Sequence, residues 1–244
     1  MNVTFVGCGD AFGTGGRFNT CIHVESDGLT FLVDCGASSM IALRAAGIEP
    51  NGIDAILITH LHGDHFAGLP FLLLDAQLYS RRRRPLTLAG PPGFSARLRR
   101  TQEVLFPGSS RVPPNFDLNK VELVQDEPAQ VLGIDIMPFH AEHPSGAPSY
   151  SLRISHCGRT LVYTGDTEWT DALVDAADGA DLLIAETLFY DKDVKFHLNY
   201  RTLVDNEDRL NARRIVLTHL GPEMMANLDR VDHEVASDGL RLSL

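Results

Sequence analysis

The sequence predicts an α/β fold in which two sheets pack against each other with helices outside. Two observations predict it. Short apolar runs of strand length come in groups, each followed by a segment of helical pattern. The scheme occurs twice, over approximately residues 1–114 and 115–244, without a fixed-period repeat. At 244 residues the chain is long enough for a single domain of two similar halves sharing one core.

In the first half Asn2–Val6, Cys21–Glu25, Thr30–Asp34 and Ala55–Thr59 read as strands, rich in β-branched and aliphatic residues. Ser38–Ala46 reads as a helix capped by Ser38 or Ser39 and ended by Gly47. A helix from Phe66 to about Tyr79 and another over Gly93–Leu105 flank a short strand at Leu86–Ala89. Proline and glycine accumulate over Phe106–Pro114, the expected linker. In the second half Val121–Leu123, Ile134–His140, Ser149–Ile154 and Thr160–Thr164 are strand candidates. Leu182–Glu186 is a buried strand, Tyr200–Leu210 a helix and Ile215–Thr218 a final core strand.

Composition is that of an ordinary globular protein, 44% hydrophobic and 22% charged. No apolar run reaches the ~18 residues of a membrane span. The N-terminus enters a strand pattern at once, which argues against a secretory signal and for the cytoplasm. Cys8, Cys21, Cys35 and Cys157 lack paired spacing and are expected to be reduced and mostly buried, with a structural zinc on them only weakly supported. A net charge of −11 repels a long polyanion unless a basic face is segregated. Arg81–Arg84, followed by Arg97, Arg99 and Arg100, is the one candidate. It reads first as a solvated loop, and second as a patch holding a phosphate near the site.

The chemistry is concentrated in Thr59-His60-Leu61-His62-Gly63-Asp64-His65, directly after the buried run Ile53–Ile58. Three imidazoles and a carboxylate in six positions form a donor set for Zn²⁺, Mn²⁺ or Fe without thiolates. Three more apolar strands end in similar donors. Thr164-Gly165-Asp166-Thr167 follows Leu161–Tyr163, Thr218-His219-Leu220 follows Ile215–Leu217, and Ala141-Glu142-His143-Pro144 follows Ile134–Phe139. Asp166 competes with a turn role after glycine. His219 repeats the Thr-His-Leu of Thr59-His60-Leu61. His143 is preferred over His140 because it lies in the loop and His140 in the strand.

With these residues in this order, the chain resembles the metallo-β-lactamase fold superfamily. Val6-Gly7-Cys8-Gly9-Asp10-Ala11, Arg17-Phe18-Asn19-Thr20, Leu32-Val33-Asp34-Cys35-Gly36, Gly90-Pro91-Pro92-Gly93 and Tyr163-Thr164-Gly165-Asp166-Thr167 are similar to its ribonuclease Z-like branch. Ser237-Asp238-Gly239-Leu240 is similar to the tail of the phosphoribosyl cyclic phosphodiesterases. The resemblance implies an αββα four-layer sandwich with a dinuclear site: His60, His62 and His143 on one divalent ion, Asp64, His65 and His219 on the other, and Asp166 bridging. Zinc is the expected metal, with Mn or Fe as alternatives. Asp34 resembles an aspartate beneath the site. Glu186 and His197 match positions that cooperate in protonating a leaving group, and Asp64 would orient the attacking hydroxide or take its proton.

The chain departs from ribonuclease Z where that family carries a tRNA-gripping arm, between the third ligand and the bridging aspartate. Here Tyr150–Ile154 passes through Cys157-Gly158-Arg159 straight into the next strand, and this with the acidic charge argues against tRNA. The cysteine zinc site of the cyclic phosphodiesterases has no counterpart either. The expected activity is hydrolysis of a small or cyclic phosphodiester by a hydroxide shared between two metals. Hydrolysis of a lactone, thioester or β-lactam is the first alternative, a di-iron oxidoreductase the second and a non-catalytic phospho-ligand sensor the third. The expected partners are a small anionic substrate and a second copy of the chain, docked through the apolar Phe66–Tyr79 helix.

Overall fold

The computed structural model describes residues 1–244. Its first sheet is built by β1 (Asn2–Gly7), β2 (Cys21–Ser26), β3 (Leu29–Val33), β4 (Ala55–Leu57), β5 (Leu86–Gly90) and β6 (Leu118–Glu122). Helices α1 (Ser39–Ala45), α2 (Gly63–Phe66), α3 (Leu69–Leu78) and α4 (Phe94–Leu105) fall between these strands. The second sheet holds β7 (Ala129–Val131), β8 (Ile134–His140), β9 (Tyr150–His156), β10 (Arg159–Tyr163), β11 (Leu182–Glu186), β12 (Ile215–Thr218) and β13 (Glu234–Val235). It is interspersed with α5 (Ala172–Ala177), α6 (Tyr200–Asp205) and α7 (Pro222–Met225). The last strand, β14 (Arg241–Ser243), returns to pair with β1.

The sheets run β14-β1-β2-β3-β4-β5-β6 and β13-β12-β11-β10-β9-β8-β7. In each, an antiparallel meander (β1-β2-β3, β8-β9-β10) leads into parallel strands (β3 to β6, β10 to β13). The residues following β3 and β4 therefore have counterparts following β10 and β11. Loops beyond the C-terminal ends of parallel strands are where α/β sheets gather ligands.

Strand alternation sorts side chains into layers. Phe31 and Val33, Ala55 and Leu57, Leu182 and Ile184 enter the core between the sheets. Leu32, Ile56 and Ile58 face the helices of the first half, and Leu183 and Ala185 those of the second. Both faces of the central strands are buried, which explains why they read as continuous apolar runs. The four layers are helix, sheet, sheet and helix.

Several elements differ from expectation. The helix expected over Phe66–Tyr79 is two helices: α2 closes at Phe66 and α3 begins at Leu69, with Gly68 packed against the Gly36 carbonyl. Val121–Leu123, expected in the second half, continues the first sheet instead: Val121 and Glu122 belong to β6 and pair with β5, and the Leu123 amide donates to the Gly90 carbonyl. The sheets thus divide between Glu122 and Ala129 rather than at 114/115. The stretch expected as a linker, Phe106–Pro114, contains a short 3₁₀ turn, Ser109–Arg111, within the first half. The expected helix Tyr200–Leu210 stops at Asp205 and continues as a 3₁₀ turn. No helix is long and apolar enough to cross a membrane. All four cysteines are free; Cys8, Cys21 and Cys35 are buried and Cys157 is exposed.

The arginine run is not a solvated loop throughout. Arg82 is 1% exposed. Its guanidinium donates to the carbonyls of Pro50, Ile53, Arg84 and Pro85 at 2.6–3.2 Å. Arg84 pairs with Asp54. Arg82 thereby ties the end of α3 to the entry of β4, the strand that carries His60. Arg82→Ala leaves buried carbonyls without donors and is expected to lower stability by about 2–4 kcal/mol, measured as a shift of the urea midpoint at constant m.

Candidate metal centre

The site residues leave five strand ends and one loop and meet at one edge of the sandwich. β3 delivers Asp34, β4 delivers His60, β10 Asp166, β11 Glu186 and β12 His219, and the loop after β8 brings His143. His62 precedes α2 in extended conformation, and the turn of α2 then aims Asp64 and His65 inward. Asp34 and His219 both sit at positive φ, 60° and 61°. Such strain, of order 1–3 kcal/mol per residue, concentrates at functional sites. Gly165, at φ +59°, is required in front of Asp166, because a Cβ there would lie 2.7 Å from the Tyr150 carbonyl oxygen.

Two groups of donor atoms result. His60, His62 and His143 form one; Asp64, His65, Asp166 and His219 form the other, each group with its ligand atoms within 4.8 Å of one another. Asp166 touches both. Its Oδ2 lies 3.9 Å from His60 Nε2, 3.8 Å from His143 Nε2 and 3.4 Å from His219 Nε2, and its Oδ1 lies 3.2 Å from His65 Nε2. Asp64 Oδ2 is 3.2 Å from His65 Nε2 and 3.8 Å from His219 Nε2.

The unpaired atoms tell what fits here. His60 Nε2, His65 Nε2 and Asp166 Oδ1 are buried and make no hydrogen bond. His143 Nε2 faces His62 Nδ1 at 2.8 Å. Each buried polar atom left without a partner costs about 1–3 kcal/mol. Lone pairs converging on one point in a set of imidazoles and carboxylates suit a divalent cation. Donor type and convergence both fit divalent metal.

A second layer of contacts fixes which nitrogen points inward. His65 Nδ1 donates to Asp34 Oδ2 at 2.6 Å. Thr59 Oγ1 donates to the same Asp34 oxygen at 2.8 Å and stands 3.0 Å from His60 Nδ1. His143 Nδ1 donates to the Phe196 carbonyl at 2.8 Å. With Nδ1 protonated in all three, Nε2 keeps its lone pair for the centre. Burial, with His65 nearby, holds His60 well below the ordinary histidine range, so it is a neutral donor. Burial alone would raise Asp166, but His219 and His65 outweigh it and keep the carboxyl ionised. Asp34→Asn cannot accept both hydrogen bonds as an anion does. It is expected to weaken metal affinity about 10–100-fold, read by competition with a chromogenic chelator.

Beside this cluster Glu186, fully buried, accepts the Thr167 amide at 2.5 Å through Oε1 and bonds His197 Nδ1 at 3.1 Å through Oε2. His197 packs edge-on to His143 with centroids 4.9 Å apart. Burial pulls His197 down, but the hydrogen bond and charge of Glu186 prevail and raise it. Burial and the neighbouring Asp166 raise Glu186.

Every residue expected at the site from sequence is brought to it: His60, His62, Asp64, His65, His143, Asp166, His219, Asp34, Glu186 and His197. His140 stays outside, exposed, with Nε2 3.2 Å from Glu142. Sequence reasoning gave no role to Thr59 or to the Phe196 carbonyl; the Thr-His pair shared by Thr59-His60 and Thr218-His219 was the available signal for the first. It also missed why Asp238 matters. Its carboxylate accepts the Cys8 and Phe18 amides at 3.0 and 2.9 Å, pinning the loop behind His219.

Comparison with known proteins places this geometry. A ribonuclease Z of Agathobacter rectalis is 28% identical over 277 aligned positions, covering 92% of this chain and 89% of the relative. The structure of the short form of human tRNase Z superposes with a TM-score of 0.81 at 27% identity, covering 100% of this chain and 99% of the other. The metallo-β-lactamase fold protein YhfI of Bacillus subtilis superposes with a TM-score of 0.78 at 22% identity, covering 99% of each chain. These likenesses weaken the expectation against tRNA that rested on charge and the missing arm. They identify the chain as a metal-dependent hydrolase of the phosphodiesterase-like type on the metallo-β-lactamase fold. The family model described as anti-Pycsar protein Apyc1 matches residues 1–235, and the chain belongs to that family.

Proposed function

We propose that the chain hydrolyses a small or cyclic phosphodiester, with zinc as its metal, and that His60, His62, Asp64, His65, His143, Asp166 and His219 hold the two ions. The observation that carries this reading is the Glu186–His197 pair standing against the donor cluster. An ester of an alkoxide leaves slowly without a proton, and a histidine steered by a buried carboxylate supplies one. Two divalent cations bound here would supply Lewis acidity and acidify a water molecule at neutral pH.

The remaining steps belong to the chain's own side chains. Asp64, at the rim of the second donor group, orients the attacking water and accepts its proton. As the water oxygen bonds to phosphorus, the bond from phosphorus to the leaving oxygen breaks. His197 gives that oxygen its proton through Nε2, while Glu186 holds Nδ1. Asp34 and Thr59 keep His60 and His65 in the donor orientation throughout.

A second reading, an RNA substrate, is favoured by the likeness to ribonuclease Z. A panel separates them: bis-p-nitrophenyl phosphate, cyclic phosphodiesters and a tRNA precursor, each with zinc-loaded protein. The proposal expects turnover of the small esters and cyclic diesters. Cleavage confined to the precursor overturns it in favour of RNA, and no cleavage of any phosphodiester overturns both. Association through α3, which exposes Phe71 and Leu78, is the matching proposal for a homodimer, tested by light scattering.

A further inference from the structure

Trp169 is the only tryptophan of the chain and stands three residues beyond Asp166. With Val194, Lys195, His197 and Asn199 it lines a cavity of about 270 Å³. The cavity and the donor cluster share a wall, the imidazole of His197. That ring is centred 4.9 Å from the ring of His143 and 6.2 Å from the ring of His219, one from each donor group. A group that takes a proton from His197 therefore departs beside this cavity.

Both parts of the wall are held in place. Thr167, between Asp166 and Trp169, is fully buried; its amide donates to Glu186 Oε1 at 2.5 Å and its Oγ1 accepts the Glu142 amide at 2.9 Å. Across the cavity Phe196 sits at φ +72°, a region that bulky residues rarely enter. That turn lets one loop offer a carbonyl to His143 and the next imidazole to Glu186. Asn199 is already occupied, donating to Asp193 at 2.8 Å and accepting the Thr202 amide at 2.8 Å. Besides His197, the indole is the one aromatic ring in the lining. It is half-buried, and the Arg209 guanidinium lies over it, 5.7 Å from the centroid and itself held by Asp171 and Asn206. A braced indole is a stacking surface, and every nucleobase has a π-face to set against it. The volume is just below the range of whole-ligand sites, about 300–1,000 Å³, and suits one ring system rather than a whole nucleotide.

We infer that this cavity receives a planar heterocycle carried on the leaving side of the substrate, and that Trp169 selects for it by stacking. The inference rests on the phosphodiesterase reading and narrows it to esters whose leaving alcohol bears a base.

The single tryptophan reports on its own surroundings, so the first test needs no variant. Zinc-loaded protein is titrated with adenosine 5′-monophosphate and with ribose 5-phosphate, neither of which contains a diester, while indole fluorescence is excited where adenine does not absorb. The nucleotide is expected to change the emission saturably and the sugar phosphate to leave it unchanged. Turnover is then compared on adenosine 3′,5′-cyclic phosphate and on its base-free counterpart, 1-O-methylribose 3′,5′-cyclic phosphate. kcat/KM is expected to favour the base-bearing ester roughly 5- to 100-fold, the usual worth of one stacked base. Trp169→Leu brings that ratio to about one, chiefly through KM, and Trp169→Phe, which keeps a π-face, retains most of it. A tryptophan that only packs the fold would lower both turnovers together and leave the ratio in place. An emission that responds alike to the two ligands, or a base preference that is absent in the wild type or survives Trp169→Leu, overturns the inference. If neither cyclic ester is cleaved, the activity falls, while the fluorescence contrast still decides the cavity.

Discussion

Asp166→Ala is expected to abolish phosphodiester turnover and to lower metal content below two ions per chain, while far-UV circular dichroism stays native. Asp166 is the one carboxylate within 4 Å of ring nitrogens from both donor groups. Without it, four buried imidazoles face one another with no anion between the two groups, and binding one cation opposes binding the other. Loss of a residue that only supports a ligand costs about 10–100-fold, and loss of a shared donor must exceed that. Two ions per chain and near wild-type turnover in this variant would show that Asp166 is a turn residue after Gly165, the reading that competes with it in the sequence.

His197→Ala separates proton delivery from metal chemistry. For an alkyl or nucleoside leaving group, kcat/KM is expected to fall roughly 10²–10⁴-fold, the usual worth of a positioned general acid. For a p-nitrophenyl ester, whose phenolate departs unaided near neutral pH, the loss is expected to stay under about tenfold. Metal content is unchanged, since His197 Nδ1 is held by Glu186 rather than by the donor groups. Glu186→Gln weakens the same step through positioning and shows the same dependence on leaving group. Equal losses on both ester types would mean that His197 holds the site's shape and moves no proton.

The donor set was legible because each donor follows an apolar strand, and strands buried on both faces announce themselves as unbroken apolar runs. Parallel pairing then forces their C-terminal ends to one edge. What stayed hidden depends on partners far along the chain. Val121–Leu123 reads as a strand, but β6, with only partial burial at Leu118 and Val121, carries no longer apolar run, so nothing local assigns it to the first sheet. β14 is three residues long and exists because β1 offers it an edge. Asp238 lies 230 residues from Cys8, whose amide it accepts. Arg82 was hidden for a different reason. Its acceptors are main-chain carbonyls, which no residue type advertises, so a buried guanidinium sits inside what reads as a solvent-facing charge run.

Elemental analysis of protein prepared without chelator, taken together with bis-p-nitrophenyl phosphate hydrolysis, tests the seven-donor centre most directly. The geometry predicts two divalent cations per chain, loss of hydrolysis when they are stripped, and its return on adding zinc. Protein that takes up no divalent cation, or hydrolysis that persists after complete stripping, would contradict it.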